Sequence, residues 1–252
     1  MELGLSGKIV LITGGSKGIG KAIAKGFVEE GSRVAITARS AEDLKVAQSQ
    51  LGNVRIYPAD LTIASEREHL IRILIEEFGR IDVLINNVGG SNGGLALETD
   101  LSLYEEAMQL NYLSAVHMSQ LAAEQMKKTG GGSIINISSI FGRESGGKIT
   151  YNNSKAALIS FTKGFADEMI REGIRVNGIA PGSILHPTGN WQKRMEQNPE
   201  QIRKFVEQEI PAGRFGTVEE VAHVAVFLAS EKASWIVGAT INVDGGQSRS
   251  NF

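Results

Sequence analysis

The sequence predicts an α/β fold, a doubly wound parallel sheet of about seven strands with helices on both faces. Short apolar runs rich in β-branched residues alternate with longer amphipathic stretches over the whole chain. Several of the short runs are apolar on both faces, which is typical of parallel strands that helices cover on each side. No linker, low-complexity tract or charge run divides the chain. We therefore expect one domain over residues 1–252.

Seven segments have the character of strands. They are residues 8–13, 33–38, 54–57, 82–86, 133–138, 174–180 and 240–243. Apolar residues recur at helical spacing in two of the intervening stretches: Ile19, Ile23 and Phe27, and Leu158, Phe161, Phe165 and Met169. Three irregular segments, 89–94, 141–150 and 181–190, each follow a predicted strand. We expect them at the carboxyl edge of the sheet, where ligands bind in such folds.

The composition excludes several classes of function. A hydrophobic content of 42% and a charged content of 21% are those of an ordinary globular protein. A formal net charge of −2 without a basic block predicts no nucleic-acid partner and no membrane partner. The absence of cysteine excludes disulfides and thiolate chemistry, and it fits a cytoplasmic protein. The four histidines are scattered along the chain, so we expect no metal site.

Neither a membrane span nor a cleaved leader is expected. No apolar run approaches the roughly 18 residues that a spanning helix needs. The first residues enter a strand-like run directly, without the pattern of a signal peptide.

Tyr151 and Lys155 form the most informative pair of residues in the chain. Positions i and i+4 of a helix share a face, so the phenol and the ammonium would point into the same space. A lysine charge near a phenol favours the phenolate and lowers the phenol pKa from about 10. Such a group suits carbonyl reduction or alcohol oxidation, in which an oxygen gains or loses a proton. Because this spacing also arises by chance, the interpretation requires a hydride carrier.

A glycine-rich loop follows the first predicted strand. Residues 13–20 read TGGSKGIG and lead into the first helical pattern. Glycines permit a tight turn and let backbone amides approach a pyrophosphate at the positive N-terminus of a helix. A glycine-rich loop is often only a turn, but this place between a strand and a helix favours nucleotide binding.

The spacing of Gly14, Gly18 and Gly20 resembles the Thr-Gly-x-x-x-Gly-x-Gly loop of the short-chain dehydrogenase/reductase family. The resemblance covers nearly the full length of the chain. Its further motifs are Asp60-Leu61, Asn86-Asn87-Val88-Gly89, Asn111, Asn136-Ile137-Ser138-Ser139, Tyr151-x-x-x-Lys155, Pro181-Gly182 and Asn242-Val243-Asp244-Gly245-Gly246. The family usually has alanine in place of Val88, a change that should crowd the loop slightly. The resemblance implies a Rossmann fold and an enzyme that transfers hydride between a nicotinamide and a carbonyl or alcohol.

The end of the second strand predicts NADP(H) as the cofactor. Folds that select NAD usually carry an acid there, which binds the ribose 2′-hydroxyl. This strand ends at Arg39, which could hold a 2′-phosphate through charge-assisted hydrogen bonds, and Lys17 adds a second positive charge. The alternative is that both are solvated surface cations. Glu42 and Asp43 come too late to take the role of the acid comfortably.

The resemblance also implies the remaining cofactor contacts. The full set that it assigns is Gly14, Ser16, Lys17, Gly18, Ile19, Arg39, Asp60, Leu61, Asn87, Val88, Gly89, Tyr151, Lys155, Pro181, Gly182 and Ile184. In this scheme Asp60 and Leu61 flank the adenine, and residues 181–184 meet the carboxamide end of the nicotinamide. From the residues alone, Asp60 could instead cap the helix that follows it.

Four catalytic residues follow from the same resemblance. Tyr151 would protonate the carbonyl oxygen, and Lys155 would lower the pKa of Tyr151 and hold the nicotinamide ribose. Asn111 would fix a water that links Lys155 to solvent, although a polar residue there could simply satisfy helix backbone. A serine after the fifth strand would hydrogen-bond the substrate oxygen.

Two serines compete for that last role. Counting three residues on from Asn136, as in the family motif, gives Ser139, whereas the usual spacing back from the tyrosine gives Ser138. Adjacent strand residues point to opposite faces, so only one can reach the site if the strand is regular. We prefer Ser139, because loops tolerate deletions better than strands tolerate register shifts.

Substrate loops are expected at about residues 90–97, 140–150 and 183–211. In the third, the apolar residues of a helical run form either a lid or part of the core: Trp191, Met195, Ile202 and Phe205. The second is polar and could suit a hydroxylated or charged substrate, although such residues usually face solvent: Arg143, Glu144 and Lys148. His186 could touch substrate, but a loop histidine is more often exposed.

Within the family, the chain is most similar to the 3-oxoacyl-[acyl-carrier-protein] reductase branch, so a ketoreductase is the first hypothesis. A sugar or polyol dehydrogenase is the enzymatic alternative. A cofactor-binding sensor or scaffold is the alternative from a different class. The family also implies a homotetramer, with helices around 107–126 and 158–169 and the C-terminal segment at subunit interfaces.

Overall fold

The computed structural model describes residues 2–251. Seven strands form one sheet: β1 (Ile9–Thr13), β2 (Arg33–Ala38), β3 (Val54–Pro58), β4 (Val83–Asn86), β5 (Gly132–Ile137), β6 (Ile174–Pro181) and β9 (Thr240–Val243). Their order across the sheet is β3-β2-β1-β4-β5-β6-β9. Every neighbouring pair is parallel. All seven strands predicted from the sequence are present with ends that agree to within one residue, which confirms the predicted fold class.

Nine α-helices accompany the strands within residues 2–251. They are α1 (Gly18–Glu29), α2 (Ala41–Leu51), α3 (Ala64–Phe78), α4 (Leu101–Met108), α5 (Ser114–Lys128), α6 (Ile149–Met169), α7 (Asn190–Gln197), α8 (Pro199–Glu209) and α9 (Val218–Ala229). Side chains cap the N-termini of two of these helices. The Ser40 hydroxyl accepts from the Asp43 N–H at the start of α2, and Thr217 forms a capping box with Glu220 at the start of α9.

Strand β1 shows why the sheet needs helices on both faces. All five of its residues are buried. Ile9 and Leu11 pack into a core that includes residues of α3, α5 and α6, whereas Val10 and Ile12 pack into a second core with α1, α2 and α9. Alternate residues of a strand point to opposite faces, so a strand that is apolar throughout is stable only in the middle of three layers.

Two short strands were not expected from the sequence. β7 (Ile184–Leu185) lies within the segment 181–190 that was predicted to be irregular, and it pairs in parallel with β8 (Gly216–Thr217), which lies beyond that segment. The predicted helical run of the third substrate loop is divided into α7 and α8 at Asn198, whose side chain accepts from the Gln201 N–H and caps α8.

A chain of buried amides and hydroxyls fastens α5 and α6 to the sheet. Asn86 Nδ2 donates to Asn136 Oδ1 and to Ser119 Oγ at 2.9 Å each, and Asn136 Nδ2 donates to Thr162 Oγ1 at 2.9 Å. Buried polar groups are costly unless they are paired. This network therefore fixes α6, which carries Tyr151, against the carboxyl ends of β4 and β5.

The loops after β1, β4, β5 and β6 meet at one edge of the sheet. The strand order changes direction beside β1, because β2 lies on one side of it and β4 on the other. A crevice opens at such a switch point, outside the carboxyl ends of the strands. Among residues 2–251, no helix is long and apolar enough to cross a membrane.

Candidate active site

The glycine loop after β1 has a shape that only glycine permits at key positions. Gly14 and Gly18 have φ values of 65° and 55°, in the left-handed region. A Cβ atom on Gly20 would lie 2.3 Å from the Gly14 carbonyl oxygen. Helix α1 begins at Gly18, so its free N–H groups face the crevice, as an anion-binding site requires.

A cavity of about 400 Å³ lies against this loop. Eleven of the residues predicted to bind the cofactor line it: Gly14, Ser16, Lys17, Gly18, Ile19, Arg39, Asp60, Leu61, Asn87, Val88 and Gly89. Asp43 lines it as well, although its place in the sequence argued against a role. The cavity is thus lined by two cations, Lys17 and Arg39, and by two acids, Asp43 and Asp60.

Asp60 lines the first cavity and also supports the turn that follows it. Its Oδ1 accepts from the Thr62 N–H at 2.9 Å and from the Thr62 hydroxyl at 2.7 Å, so it caps the turn that leads to α3. These hydrogen bonds, with a smaller contribution from the charge of Arg39, hold the pKa of Asp60 below its usual value. The carboxyl group therefore stays ionised at the wall of the cavity.

A second cavity of about 210 Å³ adjoins the first, and both are lined by Ile19, Asn87, Gly89 and His186. The remaining residues predicted to act on substrate or nicotinamide, except Asn111, line this second cavity: Ser139, Tyr151, Lys155, Pro181, Gly182 and Ile184. Ser138 also borders it. The structure therefore brings the predicted cofactor and catalytic residues into one continuous crevice.

Tyr151 and Lys155 lie on α6 and point into the second cavity, as their spacing predicts. Lys155 Nζ lies 5.6 Å from the centre of the Tyr151 ring. It donates to the Ile137 carbonyl oxygen at 2.8 Å, and the side chain is only 2% exposed. Burial lowers the pKa of Lys155 to about 8.

The expected lowering of the Tyr151 pKa is not found. Burial raises the pKa of Tyr151, and the opposing influence is a hydrogen bond with Ser139 rather than the charge of Lys155. The ammonium of Lys155 is directed at the Ile137 carbonyl, and the same burial that disfavours a phenolate also disfavours that ammonium. In this arrangement Tyr151 is a protonated phenol at neutral pH.

The two candidate serines face different partners. Ser139 lies close enough to Tyr151 to oppose the rise of its pKa, and the Ser139 hydroxyl accepts from the Phe141 N–H at 3.2 Å. The hydroxyl of Ser138 donates to the Lys155 backbone carbonyl at 3.1 Å and so supports α6. Strand β5 ends at Ile137, just before both residues. The geometry therefore favours Ser139 as the serine beside the reacting oxygen.

Asn111 is fully buried in a π-helical turn, Gln109–Leu113, between α4 and α5. Its Oδ1 accepts from the Gly90 N–H at 2.8 Å, and its Nδ2 donates to the carbonyls of Gly90 and Ala107 at 3.0 and 2.9 Å. The side-chain amide thus pairs with backbone groups of Gly90 and Ala107. This is the alternative that the sequence offered to a water-holding role. A Cβ atom on Gly89 would lie 2.8 Å from Asn111 Oδ1 and 3.2 Å from Lys155 Nζ, so Asn111 and Lys155 converge beside Gly89.

His186, which the sequence left between a substrate contact and an exposed loop position, lines both cavities. The imidazole is half-buried and lies over the glycine loop, since its ring atoms would be 3.1 to 3.4 Å from a Cβ atom on Gly18. Burial and the nearby charge of Lys17 lower the pKa of His186. Its place in the loop after β6, at the carboxyl edge, was the available signal.

Trp191 belongs to an aromatic cluster at the second cavity. The indole stacks on Phe205 with ring centres 4.6 Å apart and contacts Phe215 at 5.2 Å, while its edge borders the cavity. Ile202 is buried and Met195 partly buried. The apolar stripe of α7 and α8 therefore packs as a small core of its own that also forms one wall of the crevice.

The comparison with known proteins identifies the family. Residues 14–248 match a family model described as enoyl-(acyl carrier protein) reductase. The chain is 36% identical over 247 residues to a 3-oxoacyl-[acyl-carrier-protein] reductase of Thermotoga maritima, a match that covers 96% of this chain and 98% of the relative. The protein is a short-chain dehydrogenase/reductase. The family resemblance inferred from the sequence motifs is thereby confirmed.

Relatives of this short-chain dehydrogenase/reductase differ in their named substrates. A 7alpha-hydroxysteroid dehydrogenase of Bacteroides fragilis is 37% identical over 248 residues, which are 95% of this chain and 93% of the relative. An L-sorbose reductase of Gluconobacter frateurii, solved with NADPH and L-sorbose, superposes with a TM-score of 0.93 at 32% identity, covering 99% of this chain and 100% of that one. The protein is therefore an oxidoreductase by family.

Within residues 2–251, no group of three or more histidine, aspartate or glutamate side chains is arranged to hold a metal ion.

Proposed function

We propose that the protein is an NADP(H)-dependent oxidoreductase that interconverts a carbonyl compound and a secondary alcohol, most specifically a ketoreductase of the 3-oxoacyl type. The observation that carries the proposal is the convergence of Ser139, Tyr151 and Lys155 in a cavity continuous with the glycine-loop cavity. A phenol and a hydroxyl within one hydrogen bond of each other match the needs of a substrate oxygen that gains a proton.

The residues present fit NADP(H). The glycine loop leaves no room for a side chain at Gly20 and directs the N-terminus of α1 into the cavity, which suits a diphosphate. Arg39 at the end of β2 offers a guanidinium to a 2′-phosphate, and Lys17 adds charge beside it. NADPH, when bound, supplies the hydride.

The chain's own groups would then handle the proton. Because the pKa of Tyr151 is raised, its hydroxyl is protonated at neutral pH and ready to donate to a carbonyl oxygen. Ser139 would hold that oxygen in line. Lys155, with a pKa of about 8, carries its charge at neutral pH and would hold the nicotinamide ribose. Since alcohol oxidation needs the phenolate, these values favour carbonyl reduction near neutral pH.

An acyl substrate has support in the first substrate loop. Leu95 and Leu97 are 70% and 103% exposed, so this loop offers apolar surface to an acyl chain. In the second loop, Arg143 donates to the Thr240 carbonyl and the Glu144 carboxylate bonds residues 248–250, so both side chains already have partners within the protein. A sugar or polyol remains the second candidate because of the close superposition on L-sorbose reductase.

A homotetramer is also proposed. Phe161 of α6 stacks on Phe165 at 5.1 Å and meets Tyr112 edge-on at 6.2 Å, and Leu113 beside them is 44% exposed. Trp235, shortly before β9, is 97% exposed. Apolar surface of this kind is typical of contacts between subunits. Light scattering after gel filtration should give four chain masses, and a monomeric mass at micromolar concentration would refute the proposal.

Tyr151→Phe should remove carbonyl reduction while leaving cofactor binding intact. Loss of the proton donor should lower kcat by about 10² to 10⁴. The measurement is NADPH oxidation across acyl thioesters, diketones, steroids and sugars, with NADPH affinity from fluorescence titration. Tyr57→Phe is the control, because that phenol bonds Glu77 outside the crevice. If no carbonyl compound is reduced by the wild-type protein, or if Tyr151→Phe is as fast, the enzyme hypothesis fails and a sensor or scaffold is favoured.

Arg39→Asp should shift the preference from NADPH toward NADH. Losing a charge-assisted pair of hydrogen bonds should raise the KM for NADPH about 10- to 100-fold. The KM for NADH should stay the same or fall. Asp43→Asn is the matched variant: if Asp43 were instead the acid that holds a ribose hydroxyl, this change would weaken NADH binding. Unchanged NADPH affinity in Arg39→Asp would contradict the assignment.

His186→Asn should change the pH dependence of NADPH binding. The imidazole is neutral beside Lys17, but a diphosphate at α1 would favour its protonated form, so binding should take up a proton. The ratio of the dissociation constants of variant and wild type should therefore grow about three- to tenfold from pH 7.5 to 5.5. Titration of the 2′-phosphate cancels in this ratio. A ratio that is constant with pH would exclude His186 from the diphosphate site.

A further inference from the structure

The residues that follow β9 fold back over the active-site edge of the sheet. Residues 244–250, here called the post-β9 segment, begin with a turn around Asp244. Its Oδ1 accepts from the Gly246 N–H at 3.0 Å and its Oδ2 from the Ser248 N–H at 2.8 Å. The turn directs the remaining residues toward the loop between β5 and α6.

One carboxylate oxygen of that loop captures the segment. Glu144 Oε2 accepts from the Ser248 hydroxyl at 3.0 Å, from the Arg249 N–H at 2.8 Å and from the Ser250 N–H at 3.0 Å. Hydrogen bonds to an ionised acceptor are stronger than those between neutral groups. Convergence of three donors on one oxygen therefore makes Glu144 the principal anchor of the segment on this loop.

The backbone of Glu144 is hydrogen-bonded to the sequence neighbours of both residues assigned to the reacting oxygen, Ser139 and Tyr151. Its N–H donates to the carbonyl of Ile140, the residue after Ser139, at 3.2 Å. Its carbonyl accepts from the side chain of Asn152, the residue after Tyr151, at 3.0 Å. A displacement of Glu144 would therefore shift the backbone next to Ser139 and the helix turn that carries Tyr151, two residues that line the second cavity.

The same segment also contacts the third substrate loop. Gln247 Oε1 accepts from the Ser183 N–H at 2.8 Å, and the Gly245 carbonyl accepts from the Ala212 N–H at 3.0 Å. Arg249 also pairs with Glu209 at 3.3 Å, but Arg249 is 80% exposed and such a pair contributes little. The hydrogen bonds of Gln247 and Gly245 are therefore the contacts that link the segment to the third substrate loop.

We propose that Glu144 is a positioning residue that holds the post-β9 segment as a clasp between the second and third substrate loops. The inference rests on the proposed function, because it assigns those loops to the substrate. It makes the clasp part of the wall that orients the carbonyl compound. The clasp bonds Ser183, within the segment assigned to the nicotinamide end, but it lines no part of the glycine-loop cavity, so its main effect falls on the carbonyl substrate.

The test compares Glu144→Ala with Glu144→Gln, which keeps an acceptor oxygen, and with Ser248→Ala, which removes one of the three donors. Glu219→Ala, an exposed glutamate on α9, is the matched control. Hydrogen–deuterium exchange reports on residues 183–190, 208–213 and 244–250. Steady-state kinetics give the KM for the best carbonyl substrate and for NADPH.

Glu144→Ala should accelerate exchange in all three segments and raise the KM for the carbonyl substrate about fivefold or more, with the KM for NADPH changed less than about twofold. Glu144→Gln should recover most of the loss, and Ser248→Ala should show a smaller effect of the same kind. Unchanged exchange in residues 183–190, or an unchanged KM for the carbonyl substrate, would overturn the proposal. If the wild-type protein reduces no carbonyl compound, the proposed function fails, whereas the exchange data still decide whether Glu144 couples the loops.

Discussion

The hydroxyl group of Thr13 links the glycine loop to the loop after β4. Both cavities depend on this link, because Asn87 of the second loop lines each of them. Thr13 is 1% exposed at the end of β1. Its hydroxyl donates to the Ile85 carbonyl at 3.2 Å and accepts from the N–H groups of Asn87 and Val88 at 2.9 and 3.2 Å, so its full hydrogen-bonding capacity is used. Asn87 Nδ2 returns bonds to the carbonyls of Thr13 and Gly14. The glycine loop and the loop after β4 are therefore held in one fixed relation, which is what allows a single dinucleotide to fit along both.

Burial shifts the pKa values of Tyr151 and Lys155 in opposite directions, and in both cases it favours the neutral form. It raises the pKa of Tyr151 and lowers that of Lys155, so each group is driven toward its neutral form. With a pKa of about 8, Lys155 still carries its charge at neutral pH, and its ammonium donates to the Ile137 carbonyl. A protonated phenol beside it is suited to giving up a proton, which is why we propose reduction rather than oxidation as the reaction near neutral pH.

The fold and the residues that line the first cavity could be predicted because their signals are local. Strands such as β1 and β4 are apolar on both faces, and the glycines, Arg39 and the Tyr151/Lys155 pair each follow or flank a predictable element. The direction of the Tyr151 pKa could not be predicted, because burial is not visible in spacing. For His186 and Trp191 the sequence left alternatives open, because neither a loop position nor an apolar stripe on a helix shows which surface the side chain meets. The same holds for Glu144, whose polar character suggested substrate or solvent rather than a partner far along the chain.

The contacts of Glu144 also bear on how the protein folds. They join positions 104 to 106 residues apart in the sequence: Glu144 follows the fifth of the seven sheet strands, and its partners follow the last. Contacts of such separation carry a large loop-closure cost and form only when the intervening chain is already compact. The wall that Glu144 completes is therefore assembled only when residues 248–250 have reached the loop after β5.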